Sequence, residues 1–186
     1  ISELEYVLKN ADIQTLCLVD GYRDSNYIQM IFELVPELKE MPRGELHSER
    51  FPELKNVIYI GQQKHRGMYN TQELMLLGSH VDNSEIEAIE ATLNCHDVVN
   101  MQYTSGTTGF PKGVMLSHHN ILNNGFSVGQ CMKYTAADRV LTPVPLFHCF
   151  GCVLSLCAVI THGATMVLLE EFDPLMALAA VQKARC

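Results

Sequence analysis

The sequence predicts an α/β fold: a largely parallel, doubly wound sheet with flanking helices. Two observations carry this. Short apolar, β-branched runs alternate along the whole chain with segments of helical apolar period, the pattern left by strand–helix–strand crossovers. A composition of 47% apolar and 18% charged residues over 186 positions is that of a chain that buries a core rather than a disordered one.

Taken in order, Ser2 and Glu5 have capping-box spacing ahead of Leu4, Leu8 and Ala11, which predicts a first helix. A strand over 15–19 follows. Asp24 is placed to cap a second helix whose Ile28, Ile31, Phe32 and Val35 share one face, ending near Pro36. After a loop rich in Pro, Gly and charge, residues 57–60 read Val-Ile-Tyr-Ile and predict a strand bounded by Gly61. Short helices are expected over 71–77 and 84–93. A strand over 98–103, a glycine-rich turn, a short strand over 114–116 and a helix capped by Ser117 come next. Then follow a strand near 139–145, an apolar helix closed by Gly163 and a strand over 164–169. The last helix has Asp173 at its cap and Pro174 at its first position.

Charge and composition narrow the function classes. Thirteen Lys and Arg stand against 21 Asp and Glu, a net charge of −8 without a run of like charges, so nothing points to nucleic acid or an anionic membrane. The longest apolar stretch, 149–160, is interrupted by Gly151 and Ser155 and is too short to span a bilayer. No basic region or cleavage pattern opens the sequence. Seven cysteines, an odd number spread through apolar segments, read as small buried hydrophobes of a reducing, cytoplasm-like compartment.

The chemistry concentrates in Tyr103-Thr104-Ser105-Gly106-Thr107-Thr108-Gly109-Phe110-Pro111-Lys112-Gly113. Glycines let backbone N–H groups approach an anion, small hydroxyls donate to phosphate oxygens, and a lysine adds a point charge. The bland alternative is a surface turn. The usual ATPase loop is excluded because Pro111 precedes Lys112 and Gly113 follows it. The dinucleotide fingerprint is excluded by the spacing of Gly106, Gly109 and Gly113.

The string YTSGTTGFPKG followed by VMLSHHN resembles the signature loop of the adenylate-forming enzymes. GELHSERFPELKNV, NCHDVVNMQYTSG and PLFHCFG extend the similarity over essentially the whole chain, toward medium-chain acyl-CoA synthetases. The resemblance implies part of the large N-terminal domain of such an enzyme. It also implies a two-step reaction: a carboxylate attacks the α-phosphate of ATP to give acyl-adenylate and pyrophosphate, and coenzyme A then displaces AMP as a thioester. Thr104, Ser105, Gly106, Thr107, Thr108, Gly109, Phe110, Pro111 and Lys112 would hold the β- and γ-phosphates. The Thr104 hydroxyl would share Mg2+, and Lys112 would neutralise the leaving pyrophosphate. His148 would stand beside the substrate carboxylate. The expected partners are therefore a carboxylic, typically fatty, acid, ATP and coenzyme A.

The family's adenine-contacting motif with its magnesium-binding glutamate, its ribose-binding aspartate and the catalytic lysine of its mobile C-terminal domain have no counterpart in residues 1–186. The chain thus reads as an incomplete N-terminal AMP-binding domain without the lid, with no catalytic residue of its own and no activity alone. Two other classes stand beside this reading. One is a non-catalytic phosphate-binding or interaction module. The other is a thiol redox or zinc protein built on His148, Cys149 and Cys152 with Cys157 beyond; the apolar surroundings instead favour core cysteines. His118 and His119, being adjacent, point to different faces and cannot form a one-face metal pair, so helix-start packing is expected of both.

Overall fold

Alternation of strand and helix survives folding, divided between two compact units, Ile1–Thr92 and Leu93–Cys186. The structure, a computed structural model, describes residues 1–104, 109 and 111–186.

In the first unit, helix α1 (Ser2–Asn10) leads to strand β1 (Thr15–Leu18), and the short strands β2 (Gly21–Tyr22) and β3 (Ser25–Asn26) precede helix α2 (Tyr27–Leu34). A 3-10 turn at Pro36–Lys39, strands β4 (Asn56–Tyr59) and β5 (Tyr69–Asn70), and helices α3 (Thr71–Gly78) and α4 (Asn83–Glu90) complete it. Strand β4 lies between β1 and β5, parallel to both, while β2 and β3 form an antiparallel hairpin. The face predicted for α2 is the buried one: Ile31, Leu34 and Val35 are 1% exposed or less, and Ile28 and Phe32 pack at its margin. They meet Val57 and Tyr59 of β4 and Leu54 in one cluster, each fully buried aliphatic side chain contributing about 1.5–3 kcal/mol.

Two helix starts differ from the sequence reading. Ile1, not Ser2, precedes α1 and has no polar side chain to cap it, while the Glu5 carboxylate meets Lys9 at 2.8 Å and Arg50 at 2.7 Å. Asp24 falls in the tight turn joining β2 to β3, and Asn26 caps α2 by accepting from the Gln29 N–H at 2.8 Å. Asn70 forms a full capping box with Glu73 on α3.

The second unit contains strands β6 (Val98–Thr104) and β7 (Lys112–Ser117), helix α5 (His118–Met132), strand β8 (Arg139–Thr142), a π-helix at Phe150–Cys157 continuing into α6 (Ala158–Thr161), strand β9 (Thr165–Leu168) and helix α7 (Pro174–Ala184). Strands β8 and β9 are parallel, whereas β6 and β7 are antiparallel because their short connection leaves no room for a crossover. Helix α5 packs on the π-helix and α6. At Gly125 the approach is so close that a Cβ would sit 2.5 Å from the Cys157 Cβ.

The expectation of core cysteines is corrected. Cys157 is buried and Cys152 half-buried, but Cys17, Cys95, Cys131, Cys149 and Cys186 are exposed, and none is bridged. Apolar neighbours in sequence do not decide which face of an element a thiol occupies. Among the described residues no helix is long and apolar enough to cross a membrane.

Candidate functional site

The β6–β7 hairpin presents the glycine-rich turn. Its ladder runs from Val98 opposite Ser117 to Thr104 opposite Lys112. Residues directly opposite in an antiparallel pair project to the same face with Cβ atoms about 4.5–5.5 Å apart. Thr104 and Lys112 therefore project from the same face of the hairpin at the mouth of the turn, and both residues are exposed. Gly109 has φ +118°, which strains any residue with a Cβ, and among the described residues beyond its chain neighbours none comes within 4 Å of where that Cβ would sit. Ser105, Gly106, Thr107, Thr108 and Phe110 lie outside the described residues; Pro111 is half-buried beside Lys112.

The hairpin's other end is anchored at the start of α5. Ser117 is buried and shares a capping box with Asn120: the Asn120 N–H donates to Ser117 Oγ at 3.2 Å, and the Ser117 N–H donates to Asn120 Oδ1 at 3.0 Å. The predicted cap is thus present, with Asn120 in the reciprocal role. His118 is half-buried, but His119 is exposed and its ring lies 5.1 Å from that of His96, which corrects the helix-packing expectation for His119. The signal that finds this neighbour is the hairpin register, which brings 95–97 opposite the start of α5.

His148 follows the extended segment after β8, just ahead of the π-helix. It is exposed, and the Phe150 N–H donates to its Nδ1 at 3.1 Å. That bond occupies the Nδ1 lone pair, so the neutral ring carries its proton on Nε2. Phe147 beside it is 84% exposed. The apolar helix expected here is wound as a π-helix, in which the Ser155 hydroxyl donates to the Phe150 carbonyl, five residues back, at 3.1 Å. Cys149 Sγ lies 3.7 Å from His148 Nδ1, while burial, with the Cys152 thiol close by, pushes the Cys157 thiol above its ordinary range. Among the described residues this cluster does not gather three metal-ligating atoms.

Sequence reasoning missed a cavity of about 590 Å³ in the first unit, lined by Asp20, Asn26, Phe32, Lys39 and His65 among others. It opens just past the end of β1, where Asp20 accepts a hydrogen bond from the Tyr59 hydroxyl at 2.9 Å. That bond raises the Tyr59 pKa, because the neutral phenol is the donor. Nothing in the sequence marks Asp20, since the cavity forms only once β1, α2 and the loop bearing His65 are assembled.

Residues 1–186 match the family described as AMP-binding enzyme. The chain belongs to that family. Relatives include YngI of Bacillus subtilis (strain 168), 47% identical over 99% of this chain and 34% of its own length. The mitochondrial medium-chain acyl-CoA ligase ACSF2 of Rattus norvegicus is 36% identical over 98% of this chain and 30% of its own length. The chain thus spans about a third of the length of the curated relatives it matches. The fold is similar to that of a long-chain-fatty-acid-CoA ligase (FadD1) from Archaeoglobus fulgidus, with a TM-score of 0.64 at 22% identity over 98% of this chain and 31% of that one.

The donors at the mouth of the turn suit the groups that the family implies. A threonine hydroxyl is a hard oxygen ligand of the kind Mg2+ takes singly, completing its shell with phosphate oxygens and water. Lys112 adds a positive charge on the same face.

Proposed function

We propose that residues 1–186 supply the triphosphate-binding part of an ATP-dependent, AMP-forming acyl-CoA synthetase. The enzyme activates a fatty or other carboxylic acid as acyl-adenylate and passes it to coenzyme A. The observation that carries this reading is the register of Thr104 opposite Lys112 at the mouth of a hydroxyl- and glycine-rich turn, in a chain of the AMP-binding enzyme family.

On this reading residues 104–112 hold the β- and γ-phosphates, with the backbone N–H of Gly109 free of any side chain of its own. Lys112 meets the charge that accumulates on pyrophosphate as the α-phosphate bond to it breaks, so its contact strengthens toward the transition state. Thr104 is the residue that would share Mg2+; bound there, the ion supplies further neutralisation of the phosphate oxygens. His148 offers its Nε2–H to the substrate carboxylate, orienting the oxygen that attacks.

The same reading makes the chain an incomplete N-terminal AMP-binding domain. Adenine and ribose contacts and the lid with its catalytic lysine come from other sequence, and residues 1–186 alone make no thioester. A role in fatty acid metabolism and a cytoplasmic location belong to the proposal.

The test is pyrophosphate release by the full-length protein, with ATP, coenzyme A and carboxylates of graded chain length. Acid-dependent release with AMP and thioester as co-products is expected. Release of ADP and phosphate, or turnover indifferent to the acid, contradicts the reading.

A further inference from the structure

At the end of the hairpin remote from the glycine-rich turn, one sulfur and two imidazoles converge. We propose that Cys95, His96 and His119 form a site for a single divalent transition-metal ion, best matched to Zn2+, with water in the fourth position. One ligating atom from each residue lies within 4.8 Å of the others, and all three residues are exposed. A tetrahedral zinc with bonds of about 2.0–2.3 Å needs donors roughly 3.3–3.8 Å apart. Closing from the observed spacing takes about 1 Å, a side-chain adjustment within reach of exposed residues. One thiolate and two imidazoles form a donor set for zinc rather than for magnesium or calcium, which take oxygen. On binding, the Cys95 thiol gives its proton to solvent and the sulfur's lone pair to the metal.

The backbone holds the three together without a metal. Asn94 and Asp97 close a tight turn: the Asp97 N–H donates to the Asn94 carbonyl at 2.9 Å and the Asn94 N–H to Asp97 Oδ2 at 2.7 Å. The His96 N–H donates to Asn94 Oδ1 at 2.9 Å, which fixes the tip. Across from this turn, the His119 N–H donates to the Cys95 carbonyl at 2.8 Å, pinning the start of α5 against it. The register shift between Val98 and Asn100 twists the ladder here, as extra residues in one strand do. His96 and His119 consequently lie with ring centroids 5.1 Å apart and planes at 38°.

Seven residues of β6 separate this end from the mouth of the turn, about 20 Å at roughly 3.3 Å per residue. The ion therefore takes no part in phosphate chemistry and acts as a staple between the 94–97 turn and α5. The inference is independent of the proposed activity and stands or falls separately.

The test is cobalt substitution of the untagged full-length protein, followed by competition with Zn2+. One Co2+ should bind per chain, with a thiolate-to-cobalt charge-transfer band in the near ultraviolet and intense four-coordinate visible bands, and Zn2+ should abolish both. Cys95→Ser should remove the charge-transfer band. His96→Ala and the milder His119→Gln should each weaken Co2+ binding at least about tenfold, with far-ultraviolet circular dichroism unchanged. The double variant Cys149→Ser/Cys152→Ser should retain the signal in full. A wild-type protein without the band, or a band that survives Cys95→Ser, overturns the proposal.

Discussion

The two units stabilise themselves differently. In the first, Ile31, Leu34, Val35, Leu38, Leu54, Val57 and Met68 form one continuous core, each 2% exposed or less. In the second, the buried apolar residues among those described are Val153, Cys157, Ala158 and Val159, set where α5 meets the π-helix and α6. Apolar side chains such as Phe147, Phe172 and Leu175 are more than 60% exposed there. The unit with the deep core has the fewer candidate reactive groups, and the unit with the shallow one presents Thr104, Lys112 and His148 to solvent. Substitutions should accordingly be read out as stability in the first unit and as activity at the exposed groups of the second.

Leu34→Ala gives the largest expected break in that contrast. Removing a side chain that is 1% exposed should cost about 2–5 kcal/mol of unfolding free energy in urea titration, without changing the specific activity of the fraction that remains folded. Within the second unit, Gly125→Ala should cost about 1–3 kcal/mol, since the new methyl group meets Cys157 at 2.5 Å and α5 must move away. A neutral outcome would mean that the contact with the π-helix is not what holds α5.

His148→Ala sharpens the functional half of the comparison. In the full-length protein the KM for the carboxylic acid should rise on the order of tenfold to a hundredfold, the value of one hydrogen bond to a charged group, with the KM for ATP unchanged. Equal rises in both would assign His148 to structure. The smallest expected effect is at Glu5, whose carboxyl Lys9 and Arg50 hold below its ordinary range. A depressed carboxylate contributes stability above its unfolded-state pKa and loses it as pH falls through the folded-state value. Glu5→Gln should therefore be slightly less stable than wild type near neutrality and converge with it in acid, as followed by thermal unfolding between pH 7 and pH 3.

Where the chain's local chemistry decides structure, the sequence was legible. The β-branched run at 57–60, the Ile28–Ile31–Phe32–Val35 face, the Ser117 cap and the Asp173-Pro174 start all form close to where local rules put them. Departures arise where a longer-range partner wins. Glu5 pairs with Arg50, which is 45 residues away, and Asp24 was taken up by a hairpin turn. The Cys95, His96 and His119 cluster was illegible for the same reason. It depends on the register of β6 against β7, which apolar alternation alone does not reveal, and His119 carries no sign in sequence that Cys95 and His96 lie beside it. Of the candidate site, residue types and spacing pointed to the loop proposed above, but that Thr104 faces Lys112 required the fold.

The most direct test of the account separates the two half-reactions in the full-length protein with Lys112→Ala. Loss of a charge-assisted contact worth about 1.5–3 kcal/mol should slow adenylate formation, followed by pyrophosphate release, on the order of tenfold to a hundredfold. Transfer from preformed acyl-adenylate to coenzyme A should be nearly unaffected, because pyrophosphate has already left. Equal losses in the two half-reactions, or an unchanged rate of pyrophosphate release, would contradict the assignment of this turn to the leaving phosphates.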